Sequence, residues 1–318
     1  MLKIAILDDY QNVALGSADW SGVRRSCEIT VFDRHLAGLD EAAAALADFD
    51  VLCLMRERTP APAALIERLP KLKLIVTTGA RNRSLDTAAA QARGVVVSGT
   101  RSGGSEHPTG ELTWALILAA ARCLFQENRT LREGGWQQTV GTTLHGRTLG
   151  VLGLGRLGSV VARIGAAFGM DVIAWSPNLT TERAAAAGAR LVSKAELLSR
   201  SDVLTLHMVL SDRTRGLIGA QDLAQMRPDA ILVNTSRGPL VDEAALLDAL
   251  RRKAIGAAAL DCFDIEPLPD DHPFRHLENV IASPHLGYVT QETYAVFFAD
   301  MVEAIEAFLA GRPIRRLA

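Results

Sequence analysis

Thr148-Leu149-Gly150-Val151-Leu152-Gly153-Leu154-Gly155-Arg156-Leu157-Gly158 decides the fold of this chain. The run up to Gly153 reads as a buried strand, and a helical stretch ending near Gly169 opens behind the turn. In that setting the first glycine permits a tight turn and the second lets backbone approach a pyrophosphate. The third lets helix pack on strand, with the helix N-terminus facing the anion. A glycine-rich turn without a ligand is the plain alternative, but strand, spacing and helix together favour a dinucleotide site. Gly153, Gly155, Arg156, Leu157 and Gly158 are the residues expected against the cofactor.

Such sites commonly carry an Asp or Glu about 20 residues further on, at the end of the second strand, to bind the ribose 2′-hydroxyl. Here that strand ends Ala174-Trp175-Ser176-Pro177-Asn178, without a carboxylate, and Asp171 lies at the wrong end of it. Ser176 and Asn178 can hydrogen-bond a ribose without repelling a 2′-phosphate. Arg183 could pair with such a phosphate, although a solvated helix residue is its commoner role. NAD is favoured and NADP stays open.

Outward from the turn, strands alternate with helices on both sides. Lys3 to Leu7, Glu28 to Phe32, Val51 to Met55, Leu72 to Thr78 and Val95 to Ser98 read as strands. Leu39 to Ala47, Ala61 to Leu69 and Leu85 to Ala92 read as the helices between them. A long helix is expected from Glu106 to about Glu127, with Trp114 in its core face. A second strand series comes next: Thr148 to Gly153, Val172 to Trp175, Arg190 to Val192, Val203 to Leu206, Ile231 to Asn234, Ala257 to Leu260 and Val280 to Ala282. Thr290 to Leu309 closes the chain as an amphipathic helix before Gly311 and Pro313. Continuous apolar strands separated by helices imply parallel sheets covered on both faces. With the glycine turn in mid-chain, the layout is a dinucleotide domain inserted into a first domain, which the last helix rejoins.

Composition agrees. At 318 residues the chain exceeds what one core usually supports, and 48% apolar with 22% charged residues is ordinary for a globular protein. A net charge of −2 with scattered Lys and Arg gives no footprint for nucleic acid. Leu112 to Phe125 is broken by Arg122 and is too short for a bilayer span. Cys27, Cys53, Cys123 and Cys262 lack metal spacing and read as free thiols in a reducing compartment. Because Lys3 already opens a strand, no leader is expected and the chain is placed in the cytoplasm. His272 and His276 with Asp270 and Asp271 could suggest a metal cluster, but Pro273 interrupts the alignment and a polar surface loop is the better reading.

Chemistry gathers behind the later strands. Arg237, in Asn234-Thr235-Ser236-Arg237-Gly238, comes just after an apolar strand, where open α/β sheets bind ligands. A guanidinium there can hold a carboxylate bidentately and polarise an adjacent carbonyl, although a lone Arg in a turn is more often at the surface. Asp261 and Glu266 flank the end of another strand, and His285 lies just past the last one in Ser283-Pro284-His285-Leu286-Gly287. A carboxylate beside an imidazole favours the protonated ring and fixes its tautomer, so that it can donate to a developing alkoxide.

These stretches, with Asp50-Val51-Leu52, Gly79, Glu111-Leu112-Thr113, Leu206-His207, Thr214-Arg215-Gly216-Leu217-Ile218 and Asp261 to Pro267, resemble the D-isomer-specific 2-hydroxyacid dehydrogenase family over nearly the whole chain. The resemblance implies an NAD(P)-dependent oxidoreductase interconverting 2-keto and D-2-hydroxy acids. It implies a fold of two doubly wound parallel-sheet domains: a discontinuous flavodoxin-like substrate domain (1–103 and 289–318) and an inserted Rossmann domain (104–288). By the same resemblance Arg237 binds the substrate carboxylate and carbonyl, His285 is the acid/base and Glu266 orients it. Asp261 is expected near the nicotinamide carboxamide, with His207, Thr214, Thr235 and Gly287 also at the cofactor. The loop of Gly79 and Ala80 is expected to hold the substrate carboxylate through backbone N–H groups, in a cleft between domains of a homodimer joined through the cofactor domain.

One departure stands out. Where the family usually reads Gly-x-Gly-x-Asp, this chain has Gly79-Ala80-Arg81-Asn82-Arg83. The added bulk and charge predict a substrate larger or more anionic than glyoxylate, with Arg56 or Arg81 meeting its distal group, unless Arg81 points to solvent. The rival readings are an NAD(H)-sensing corepressor-like binding protein, disfavoured because the extra tails of such scaffolds are not seen, and 3-phosphoglycerate dehydrogenase proper, although no regulatory domain follows residue 318. Formate dehydrogenase is disfavoured because that relative pairs its histidine with glutamine, where Glu266 stands here.

Overall fold

The computed structural model describes residues 1–103 and 106–317. The chain divides into two compact units, Met1–Gly104 with Val289–Ala318, and Ser105–Tyr288. Each is a parallel α/β sandwich with its own core.

In the first unit, β1 (Leu2–Ile6), β2 (Cys27–Val31), β3 (Val51–Leu54), β4 (Leu74–Thr77) and β5 (Val96–Gly99) form one sheet in the order β2-β1-β3-β4-β5. All its pairings are parallel. This is the flavodoxin-like order, whose direction reverses between β1 and β3. β3 and β4 are buried at every position, as continuous apolar runs covered on both faces must be. The helix Gln291–Leu309 returns to this unit, burying Phe297, Phe298, Met301 and Ile305, and Thr290 caps it by accepting the Thr293 N–H. Beyond it the chain runs along β5, with Leu317 N–H donating to the Val97 carbonyl at 2.9 Å.

The second unit carries β6 (Thr148–Leu152), β7 (Asp171–Trp175), β8 (Arg190–Leu191), β9 (Val203–Leu206), β10 (Ile231–Asn234), β11 (Ala257–Leu260) and β12 (Val280–Ala282). Their order is β12-β11-β10-β9-β6-β7-β8, again parallel throughout. This is the Rossmann order with one strand added, and the direction reverses where β6 meets β9. Two apolar layers sandwich the sheet. One gathers Leu204, Leu206, Leu232, Leu246 and Phe274, and the other Trp114, Ile117, Val151, Val161 and Val233. Trp114 is core as expected: its indole N–H donates to the Val161 carbonyl and its ring stacks on Phe168 at 4.8 Å.

Two helical expectations need correction. The long helix expected to reach Glu127 ends at Ala121, and a separate helix runs Leu124–Arg132. Cys123 between them is left-handed, with φ 50°, and Thr142 N–H closes on the Ala121 carbonyl at 2.6 Å. A returning segment thus satisfies an orphan carbonyl and stops a helix that propensity alone would have continued. The helix expected at Leu85 begins at Thr87, because the Asp86 side chain accepts the Ala89 N–H and caps it there.

Candidate active site

The glycine turn joins β6 to the helix Arg156–Ala167. Gly153 has φ 102°, and a β-carbon there would lie 2.6 Å from the His207 carbonyl oxygen. At Gly158 a β-carbon would strike the Gly153 carbonyl, so helix and strand meet backbone to backbone. Gly155 is different: a β-carbon on it would meet nothing within 4 Å. That open face lies at the N-cap of a 12-residue helix, and no side chain caps the helix. The residues present therefore fit a dinucleotide pyrophosphate, which the open N–H groups and the helix dipole favour.

At the end of β7, Ser176 is half-buried and Asn178 exposed, and the Arg183 guanidinium donates to the Asn178 carbonyl at 3.2 Å. Asp171 opens β7 and pairs with Arg190 and Arg200, at the far end of the strand from the glycine turn.

Arg237 is mounted by an Asn-centred turn after β10. The Asn234 side chain accepts the Ser236 N–H at 3.1 Å and donates to the Arg237 carbonyl at 2.8 Å, and the Ser236 hydroxyl donates to the Leu206 carbonyl. Gly238 then lies against the backbone of Phe263 and Asp264, where a β-carbon has no room. This contact joins the Arg237 loop to the loop that carries Glu266.

Glu266 and His285 meet directly. The Glu266 Oε2 to His285 Nδ1 distance is 2.6 Å, and Glu266 Oε1 accepts the Phe263 N–H at 2.9 Å. Burial pushes the Glu266 carboxyl up. The hydrogen bond and charge of His285, the Phe263 N–H and the Arg237 charge outweigh burial and hold it below the ordinary glutamate value. With Nδ1 engaged, Nε2 is the nitrogen left to meet a ligand. His285 is itself left-handed, with φ 53°, a conformation that persists only where surroundings enforce it.

Asp261 does the enforcing. It is buried, and its oxygens accept the Ser283 hydroxyl at 2.6 Å, the Leu286 N–H at 2.7 Å and the Gly287 N–H at 2.9 Å. Burial pushes its carboxyl up despite these bonds and the His285 charge. Both oxygens are thus engaged by the turn that holds His285.

His207 lies just past β9, buried, with Nε2 on the Thr205 hydroxyl at 2.9 Å and Nδ1 without a partner. Burial pushes its ring down to about 4, so it is neutral. The Thr214 hydroxyl donates to the Val209 carbonyl and accepts the Ser211 N–H, shaping its own turn. The Thr235 hydroxyl faces that of Thr113 at 2.8 Å.

In the first unit, the Gly79 N–H expected for substrate is taken by the Thr100 hydroxyl at 2.8 Å. Ala80, Arg81 and Arg83 are exposed, and Asn82 ties this loop to the Arg56 carbonyl and the Thr77 hydroxyl. Arg56 lies against Gly79, its Nη1 2.5 Å from where a β-carbon would sit. The His272 ring accepts the Phe274 N–H and pairs with Glu243 at 3.1 Å.

A family model for the D-isomer specific 2-hydroxyacid dehydrogenase NAD binding domain matches residues 114–287. The chain belongs to this family. Within the family it is similar to D-3-phosphoglycerate dehydrogenase of Methanocaldococcus jannaschii, 40% identical over 86% of this chain and 52% of the relative. It also resembles glyoxylate reductase of Aeropyrum pernix, 40% identical over 78% of this chain and 76% of that one. Among solved structures, phosphoglycerate oxidoreductase from Vibrio cholerae o395 superposes with a TM-score of 0.92 at 39% identity, covering 98% of this chain and 100% of that chain. The chain spans about half the length of the D-3-phosphoglycerate dehydrogenases it matches. The family's cofactor is NAD(H), consistent with the turn at Gly153 to Gly158.

For three residues of the site the sequence does not show the part they play in the fold. Gly238 stands beside Arg237 in the chain, yet only the fold shows the backbone it must clear. Thr109 lies on the helix before the turn without any signal, and Thr113 is marked only as part of a family-like stretch, with no hint of what its hydroxyl bonds.

Proposed function

We propose that the chain interconverts a 2-keto acid and a D-2-hydroxy acid with NAD(H). The observation that carries this is the 2.6 Å pair of Glu266 and His285, its carboxylate held ionised beside the Arg237 charge, on a nicotinamide-family fold.

NADH, held by the turn at Gly153 to Gly158, would supply the hydride that reaches the carbonyl carbon. His285 Nε2 gives a proton to the carbonyl oxygen as the C=O π pair moves onto it, so that with the hydride the keto acid becomes an alcohol. Glu266 fixes the ring and balances its charge through Nδ1. Arg237 holds the substrate carboxylate and stabilises the oxyanion. The reverse direction uses the same groups, with His285 as base. His207, Thr214, Thr235, Asp261 and Gly287 are proposed to line the cofactor, and Ser176 its ribose. Substrate selection is proposed to fall to the loop of Gly79 and Ala80, where Arg81 favours an acid with a second anionic group.

We infer further that the protein is a cytoplasmic homodimer. Leu124, Phe125, Leu131, Trp136 and Val140 expose apolar side chains within one short stretch, which favours a protein partner, and Cys27, Cys53 and Cys262 are buried free thiols. No described helix is long and apolar enough to cross a membrane.

His285→Gln tests the assignment. Single-turnover reduction with bound NADH is expected to slow about 10²- to 10⁴-fold, the usual contribution of a positioned acid, with NADH affinity kept. An unchanged rate would remove His285 from the reaction.

A further inference from the structure

We propose that Thr109 and Thr113, one helical turn apart on Glu106–Ala121, are positioning residues that brace the two catalytic loops through a directed chain of hydroxyls. The proposal rests on the reading that His285 and Arg237 do the chemistry.

Each threonine has one hydroxyl proton to give. The Thr109 hydroxyl donates to the Gly287 carbonyl at 2.8 Å. The Thr113 hydroxyl donates to the Thr109 carbonyl at 2.7 Å, because a carbonyl can only accept. Its proton is therefore spent, and the 2.8 Å contact with Thr235 must run the other way, with the Thr235 hydroxyl donating to Thr113. A single sequence of bonds results: Thr235 to Thr113, Thr113 to the Thr109 backbone, and Thr109 to Gly287.

Threonines that bond back to the carbonyl four residues earlier are common in helices and by themselves mean little. What distinguishes this pair is that each hydroxyl also reaches outside the helix, at both ends to a residue within two positions of a catalytic group. Gly287 is two residues from His285, and Thr235 is two residues from Arg237. Spacing of four residues puts both threonines on one helix face. Thr113 is fully buried and Thr235 nearly so, which screens the chain from water. On the other side of the His285 turn, Asp261 takes the Ser283 hydroxyl and the Leu286 and Gly287 N–H groups. The turn is gripped from two directions, which accounts for a histidine held at φ 53°. A valine at either position keeps the shape and deletes the bond, whereas serine keeps the bond.

The test compares Thr109→Val, Thr109→Ser, Thr113→Val and Thr113→Ser in the full chain. The readouts are kcat, KM for the keto acid, NADH affinity, thermal midpoint and the His285 ring resonance in ¹³C-histidine-labelled protein, assigned with His285→Gln. Thr109→Val is expected to lower kcat about tenfold or more and to move the His285 resonance, with NADH affinity unchanged, since small misplacements of reacting groups carry large rate penalties. Thr113→Val is expected to raise the keto-acid KM as well, through the Arg237 loop. Both serine variants are expected to recover most of the loss. If Thr109→Val does not fold, Thr109→Ala takes its place with the same expectations. Wild-type kcat and an unmoved resonance in the valine variant would overturn the brace, as would equal losses in valine and serine variants. Should the wild-type protein reduce no keto acid at all, the functional reading fails, while the ring resonance still decides the brace.

Discussion

The two units have sheets of the same kind, parallel and doubly wound, yet their carboxyl edges hold acids in opposite ways. In the first unit Asp8 lies past the end of β1, buried, accepting the hydroxyls of Thr59 at 2.8 Å and Tyr10 at 3.2 Å, and burial pushes its carboxyl up against these bonds and the weaker pull of the Arg58 and His35 charges. In the second unit Glu266 lies past the end of β11, half-buried, and His285, the Phe263 N–H and the Arg237 charge turn the balance and hold it down. At Asp8 the nearby charges are felt only weakly and burial wins. At Glu266 a directly bonded imidazole at 2.6 Å, with the Phe263 N–H and the Arg237 charge, outweighs burial, and the proposed reaction gives the resulting charge a task. The sheet type is shared, and the chemistry lies in the loops beyond the strand ends.

The sharpest break of that contrast is to remove the guanidinium. Arg237→Ala is expected to lower kcat/KM for keto acids by roughly 10²- to 10³-fold, on the scale of losing one oxyanion donor, with NADH affinity kept. A loss confined to NADH binding would assign Arg237 to the cofactor instead. Next in size, Glu266→Gln keeps the shape and removes the charge. Single-turnover reduction is expected to fall about tenfold to a hundredfold, a part of what a positioned acid supplies. The pair also has a stability signature. A glutamate held below its ordinary value contributes stability above that value, and the contribution disappears as pH falls through the folded value. Acid unfolding followed by circular dichroism should show this loss in the wild type and not in Glu266→Gln.

His207 gives the complementary case, with burial and no charged partner. Its ring sits at about 4 instead of 6.5, so the folded state refuses a proton that the unfolded chain takes up below 6.5. Stability should fall as pH drops from 6.5 toward 4 and then level off, by up to about 3 kcal/mol at 1.36 kcal/mol per pH unit. Urea titrations of the cofactor-free His207→Asn variant should be flatter over that window, and an equal slope would contradict neutral burial. The smallest effect belongs to the first unit. Arg81→Ala should cost dianionic keto acids a few-fold to tenfold in kcat/KM, as a partly screened exposed charge does, and leave pyruvate nearly unaffected. Equal losses for all acids would count against a role in selection.

Much of this is readable from residue order alone, for identifiable reasons. The strands are legible because parallel sheets bury both faces and so write short continuous apolar runs, such as Val51 to Leu54 and Ile231 to Asn234. The glycine turn is legible because backbone clearance restricts residue type, and Gly153 and Gly158 have that restriction in full. The helix break at Cys123 is not, since it depends on Thr142 arriving from 19 positions later to close on Ala121. The occupancy of Asp261 is hidden in the same way. The family resemblance marks it as a cofactor neighbour, and only the fold shows that both its oxygens also accept from the Ser283 to Gly287 turn. The use of the Gly79 N–H by Thr100 likewise joins the ends of two strands that lie side by side only in the folded sheet. Local rules mark which residues can do chemistry, and long-range hydrogen bonds decide which atoms are left for it.

The most direct test of keto-acid reduction mixes the purified wild-type protein with NADH and hydroxypyruvate, follows NADH absorbance and resolves the product by chirality. Consumption of NADH matched one for one by D-glycerate is the expected result. Tight NADH binding without turnover of hydroxypyruvate or any other 2-keto acid, or formation of the L product, would contradict it.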